Sequence, residues 1–195
     1  MSVIDFSALQ KEGLMVKKLR FFIVVLIALL AVLGSYALYM VEIGNFHEIS
    51  PGEAYRSAQL DKAQLEHYIK KYGIRSILNL RGENPNLKWY RDEITISDVY
   101  NLAHYDLSLS SDCEPGEEDM RKLLDVFRHA PRPILIHCKA GADRSGLVAA
   151  MWKVIVDKEP KSEAKKQLSY FYGHIPVSGT YAMDRFFQNW KPQYQ

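Results

Sequence analysis

Pro133-Ile134-Leu135-Ile136-His137 runs directly into Cys138-Lys139-Ala140-Gly141-Ala142-Asp143-Arg144-Ser145-Gly146, and this junction constrains the fold more than any other stretch of the chain. These first five residues are a short apolar run that opens on a proline and closes on His137, the pattern of a buried strand. Gly146 to Val156 is apolar almost throughout and predicts a buried helix. Five residues separate Cys138 from Arg144, enough to wrap a loop around one phosphate. The backbone N–H groups of Lys139, Ala140, Gly141, Ala142 and Asp143 can then point inward as an anion nest. The helix that follows aims its N-terminal dipole at the same point. Arg144 closes the ring with a planar fork suited to two phosphate oxygens. Cys138 sits at the base as the nucleophile, and the field that holds phosphate also favours a thiolate. A Walker loop is excluded, because Gly-Lys-Ser/Thr is absent from its end. An inert core cysteine is the bland alternative. The arginine spacing, Gly141 and Ser145-Gly146 together argue against it.

This segment resembles the signature of the cysteine-based protein tyrosine phosphatases, and within them the compact dual-specificity branch of small bacterial enzymes. Two further stretches resemble the same branch: Asn45-Phe46-His47 through Pro51-Gly52-Glu53-Ala54-Tyr55-Arg56-Ser57-Ala58-Gln59, and Gly73 through Arg81. The resemblance implies an α/β domain with a central, mostly parallel sheet flanked by helices. It also implies a general acid on a loop ahead of the signature. Here that loop is Ser110 to Gly116, with Asp112 as the choice and Asp106 and Glu114 as alternatives. Asp106 falls inside a strand pattern, which suits a structural role.

The remaining roles follow from position. Ser145 can donate a hydrogen bond to the Cys138 thiolate, and Lys139 adds positive charge at the mouth. His137 is expected to orient the loop or simply pack. Asp143 opposes phosphate binding, so its side chain is expected to turn outward, toward an arginine or a water. Cys113 beside the acid could form a disulfide with Cys138 in an oxidising compartment, although an unpaired thiol is the simpler reading. No metal or other cofactor is required, since loop amides and Arg144 carry the transition-state charge.

Composition sets the frame. The chain has 195 residues and a formal net charge of +2, which gives no global basic field of the kind nucleic acid selects. Its two cysteines make no disulfide framework or zinc site. Phe21 to Val41 contains no charged residue, preceded by Lys17, Lys18 and Arg20 and followed by Glu42, Glu48 and Glu53. Such a run is long enough to span a bilayer, since about 20 apolar residues suffice. The expected organisation is a short cytoplasmic segment over 1–20, a transmembrane signal-anchor over 21–41 and a phosphatase domain over 45–195. Positive charge stays inside, so the domain is expected on the periplasmic or outer face. A cleaved signal peptide ending near Ser35-Tyr36-Ala37 is the alternative.

After the apolar run, short strands are expected near Tyr55–Ala58, Ile74–Leu80 and His104–Leu109. Helices are expected from Asp61 to Tyr72, Glu117 to His129, Lys161 to Tyr172 and Thr180 to Trp190, while 86–99 is ambiguous. His174 could line the site. Expected substrates are phosphoproteins, with phosphotyrosine first. Phospholipid or inositol phosphate is the alternative, suggested by Lys139-Ala140-Gly141, and a catalytically inactive phosphate-binding module is the third reading.

Overall fold

The computed structural model describes residues 6–191, which divide into two compact units between Glu42 and Ile43. The first unit is one helix, α1 (Phe6–Glu42). It begins well before the apolar run, because Leu9, Gln10, Lys11 and Glu12 are all good helix formers. Within Lys17–Glu42 the most apolar 18-residue window has a mean hydropathy of 2.7, and the helix is long and apolar enough to cross a membrane by length and composition. Phe22, Val32 and Leu38 are among its exposed apolar side chains.

The second unit is an α/β domain. In chain order it comprises β1 (His47–Ser50), β2 (Ala54–Ser57), α2 (Lys62–Tyr72), β3 (Ser76–Asn79), α3 (Lys88–Val99), β4 (Ala103–Asp106), α4 (Glu117–His129), β5 (Ile134–His137), α5 (Asp143–Ile155), a short α6 (Lys161–Ala164) and α7 (Tyr181–Asn189). The sheet order is β1-β2-β5-β3-β4. The β2–β5, β5–β3 and β3–β4 pairings are parallel, and at the edge β1 runs antiparallel to β2. The sheet is mostly parallel, as expected, and mixed at that one edge.

Period-two alternation sorts the strands between two cores. Ile134, Ile136 and Leu78 face a core shared with Leu123, Phe127, Val148, Trp152 and Phe187. Leu135, Ile77 and Tyr55 face the other core, with Leu65, Ile69 and Ile96. Burial on both faces explains why β5 reads as a continuous apolar run rather than an alternating one.

Local signals place several helices as expected. Asp61 caps α2 by accepting from the Gln64 N–H at 2.8 Å, and Gly73 ends it at φ 64°. The ambiguous 86–99 region is α3, whose entry residue Leu87 makes no side-chain cap. One expected helix does not form. Lys161–Tyr172 breaks into α6, a 3-10 turn at Lys165–Gln167 and a second turn at Tyr170–Tyr172. Arg56 Nη1 donates to the Gln167 carbonyl at 2.7 Å and to its Oε1 at 2.9 Å, so that carbonyl is turned away from any helical continuation.

The strand register aligns the site. Ser57, His137, Asn79 and Asp106 lie side by side at the C-terminal ends of the parallel strands. In open parallel sheets this edge is where ligands bind.

Candidate active site

Cys138 leaves β5 at that edge and is 2% exposed. Its N–H donates to the Ser57 carbonyl at 3.4 Å, and the preceding His137 carbonyl accepts from the Leu80 N–H at 2.9 Å. Cys138 is thus pinned between the extensions of β2 and β3. Its Sγ lies 3.4 Å from Ser145 Oγ, the position in which a hydroxyl can donate to a thiolate.

The loop beyond it is held from outside by its carbonyls. The Lys139 carbonyl accepts from the Gln59 N–H at 3.2 Å. The Ala140 carbonyl accepts from Asn45 Nδ2 at 2.9 Å. The Gly141 and Ala142 carbonyls both accept from Arg56 Nη2, at 2.9 and 3.0 Å. Four consecutive carbonyls therefore point outward. Among the described residues no backbone N–H from Lys139 to Arg144 donates to a backbone carbonyl. In a planar trans peptide each carbonyl lies anti to the next residue's N–H, so the N–H groups of Ala140, Gly141, Ala142 and Asp143 face inward, as an anion nest requires. Gly141 makes the turn at φ 72°, and a Cβ there would meet Ala58 N at 2.5 Å. Only glycine fits so close to a neighbouring backbone.

Sequence reasoning gives Arg56 no role beyond its place in a resembling stretch, yet the structure puts it behind the loop. It is fully buried, and among the described residues it makes no ion pair with a carboxylate. Burial pulls its guanidinium down to about 10, with Tyr172, Cys138 and Asp143 acting the other way, so it remains charged at neutral pH. Its face stacks on Tyr172 at 4.2 Å.

Arg144 begins in the first turn of α5 and sends Nη1 to the Leu80 and Leu109 carbonyls, at 3.3 and 3.2 Å. Its Nε is buried with no hydrogen-bond partner. Leu109 is also where the Ser110–Gly116 loop starts, so one guanidinium ties the Cys138–Arg144 loop to that loop. Within it Asp112 lies at the surface beside Gly179, and its N–H donates to Ser110 Oγ at 3.1 Å. The alternatives are occupied elsewhere. Asp106 accepts from Tyr90 Oη and Asn79 Nδ2, both at 2.7 Å, and sits 3.5 Å from His104 Nδ1. Burial opposes its ionisation, yet those bonds hold its carboxyl below the usual range. A group kept ionised in this way is a poor proton donor. Glu114 pairs with Arg185. Cys113 is exposed, and both cysteines are free thiols.

His137 packs behind Cys138 as part of a buried polar cluster. Glu93 accepts from Gln59 Nε2 at 2.9 Å and lies 2.9 Å from His104 Nε2 and 3.1 Å from His137 Nε2. Burial alone would raise the Glu93 carboxyl, but His137, His104 and Gln59 hold it well below the carboxylate range. His104 moves oppositely: burial lowers it, and Asp106 and Glu93 outweigh burial and push it up to about 9 from 6.5. The folded state therefore keeps a proton that the unfolded chain releases above about pH 6.5. The resulting stability is complete below that pH and falls as pH rises toward 9, by about 1.4 kcal/mol for each pH step of one within the window. Urea unfolding of the wild type and His104→Gln should show the gap between them narrowing over this window. A gap constant from about pH 6 to 10 overturns the assignment.

Lys139 and Ala140 are exposed at the rim. The Asp143 carboxylate pairs with His174, its Oδ1 2.7 Å from Nδ1, and not with an arginine.

Comparison with known proteins agrees with this geometry. The family described as DSP-PTPase phosphatase fused to NAD+ kinase matches residues 45–180. The dual specificity protein phosphatase CDC14A of Homo sapiens is 26% identical over 125 residues, 57% of this chain and 20% of that protein. The chain thus spans about a fifth of the length of the curated relatives it matches. Among solved structures, TpbA of P. aeruginosa superposes with a TM-score of 0.55 at 21% identity, covering 75% of this chain and 85% of that one. The core catalytic domain of SIW14 from S. cerevisiae superposes with a TM-score of 0.62 at 19% identity, with the same coverage. These two similarities speak to the fold. With the family match extending over most of the chain, the protein belongs to the DSP-PTPase family of the cysteine-based protein tyrosine phosphatase superfamily.

Proposed function

We propose that the domain hydrolyses phosphomonoesters through a cysteinyl-phosphate intermediate, with Cys138 as nucleophile, Arg144 as phosphate clamp and Asp112 as general acid. The observation that carries this reading is the row of four loop carbonyls bonded outward around a buried cysteine. The Cys138 thiolate attacks phosphorus, the P–O bond to the leaving group breaks, and Asp112 gives its proton to the departing oxygen. Water then attacks the phosphocysteine while the Asp112 carboxylate takes its proton, and sulfur leaves as a thiolate stabilised by Ser145. The amides from Lys139 to Asp143 hold the equatorial oxygens throughout.

Phosphotyrosine in proteins is the first substrate class. TpbA, with the same fold, has been solved in complex with pTyr. A second reading, a phosphorylated inositol or lipid headgroup, is favoured by one observation. Arg81 follows Leu80, whose carbonyl binds Arg144, and its Nη1 donates to Gln59 Oε1 at 3.1 Å while it stacks on Trp89 at 3.8 Å. Among the described residues neither Arg81 nor Lys139 has a carboxylate within ion-pair distance, which leaves positive charge at the rim for a second anionic group. SIW14, similarly folded, is described as a PP-IP phosphatase. We further propose that α1 anchors the protein in a membrane with the domain on the periplasmic side, consistent with basic residues preceding the apolar run.

The test uses leaving groups. Asp112→Asn should slow hydrolysis of an alkyl phosphate by about 10² to 10⁴ and that of p-nitrophenyl phosphate far less. Acid quenching should trap one phosphoryl group on Cys138. Equal slowing of both substrates removes Asp112 as the acid, and label on any other residue removes the mechanism.

A further inference from the structure

Asp143 is the sole carboxylate between Cys138 and Gly146. It occupies the first turn of α5, whose free amides form part of the loop. A carboxylate at a helix start ordinarily folds back onto those amides, which attract negative charge. Here that habit would put an internal anion where the phosphate belongs.

The structure shows what holds it away. Asp143 Oδ1 lies 2.7 Å from His174 Nδ1, and Asp184 Oδ2 lies 2.7 Å from His174 Nε2 on the opposite side of the ring. An ionised carboxylate only accepts, so a ring between two of them donates from both nitrogens and is an imidazolium. His174 is 1% exposed and Asp184 is 8% exposed, so water competes little for either bond. Three separate elements converge here. Asp143 comes from α5, Asp184 from α7, and His174 follows the Tyr170–Tyr172 turn, where Gly173 takes φ 77°. The His174 N–H donates to the Ser169 carbonyl at 3.1 Å, which fixes the ring's backbone. Arg56, the other nearby cation, is engaged by the Gly141, Ala142 and Gln167 oxygens.

We propose that His174 is a positioning residue that clamps the Asp143 carboxylate outside the phosphate cradle, so that the C-terminal segment sets the loop's affinity for phosphate. The clamp rests on the reading that the loop grips phosphate. It also assigns a purpose to an acid within an anion-binding loop: paired, Asp143 ties the loop to α7; unpaired, it becomes a competitor for the cradle.

Calorimetric titration of inorganic phosphate into the full chain tests this, with KM and kcat measured alongside. His174→Gln should weaken phosphate binding and raise KM by about tenfold or more, with a smaller change in kcat. Adding Asp143→Asn should return the double variant to within about threefold of Asp143→Asn alone. Asp184→Asn keeps the ring and weakens one of its two anchors. It should show a smaller loss in the same direction, again relieved by Asp143→Asn, and it serves if His174→Gln fails to fold. Losses that Asp143→Asn does not relieve make His174 merely structural and overturn the clamp. Unchanged phosphate binding in both His174→Gln and Asp184→Asn does the same. A wild type that binds no phosphate fails the loop reading itself and takes the clamp with it.

Discussion

Cys138→Ser is expected to abolish turnover and leave phosphate binding in place. The two atoms differ little in size, and the site around them does not depend on sulfur. The residue is 2% exposed, its N–H is held by the Ser57 carbonyl, and the loop beyond is fixed by Asn45, Arg56 and Gln59. The cradle therefore survives the exchange. What is lost is the proposed nucleophile. A serine hydroxyl stays protonated near neutral pH unless a base removes its proton, and the neighbour at hydrogen-bond distance is Ser145, which can donate but not act as that base. Loss of a covalent nucleophile in other hydrolases costs about 10⁶ in kcat, and a fall of at least about 10⁴ is expected here. Inorganic phosphate should still bind with a Kd within about threefold of the wild type. Turnover within about tenfold of wild type would show that another group attacks phosphorus.

The shape of the Cys138–Arg144 loop was legible because its residues are local. A strand, a five-residue loop and a helix are contiguous, and the residue types that make an anion nest lie in one segment. Helix α4 was equally legible, since its acids at Glu117, Glu118 and Asp119 and its Arg128 and His129 match the helix dipole at both ends. What shapes the loop was not legible. Asn45, Arg56 and Gln59 reach it from far earlier in the chain, through side chains and one backbone N–H whose partners no periodicity reveals. The same holds for Glu93. It lies in the ambiguous 86–99 stretch, and only the fold places it between His104 and His137. The expected helix at Lys161–Tyr172 had suitable propensity, and tertiary demand overrode it when Arg56 claimed the Gln167 carbonyl. In each case a buried polar group had to be satisfied, and its partner lay far away in sequence. A stretch such as Tyr55-Arg56-Ser57 carries one usable signal: an arginine inside a strand buried on both faces needs acceptors, and a loop of exposed carbonyls supplies them.

Arg56→Met should therefore cost both stability and activity, and Arg56→Lys should separate the two. The guanidinium joins oxygens on opposite sides of itself: Nη1 holds Gln167, and Nη2 holds Gly141 and Ala142. Methionine fills comparable volume but leaves those buried carbonyls without a donor. At about 1 to 3 kcal/mol for each buried acceptor left unsatisfied, a loss of about 3 to 5 kcal/mol in urea unfolding is expected. It removes charge as well, so the loop loses both its outward tether and a cation behind Cys138. A displacement of the cradle by about 1 Å is enough to lower kcat/KM by about 10². Lysine keeps the charge on a single point and cannot span both sets of oxygens. Arg56→Lys should retain more stability than Arg56→Met and still lose kcat/KM by about tenfold or more, because Gly141 and Ala142 are the carbonyls whose outward turn faces the loop amides inward. If Arg56→Met unfolds at the wild-type urea midpoint and turns over at the wild-type rate, the loop holds its shape without a buried guanidinium behind it, and the outward row of carbonyls is a consequence of the turn rather than its cause.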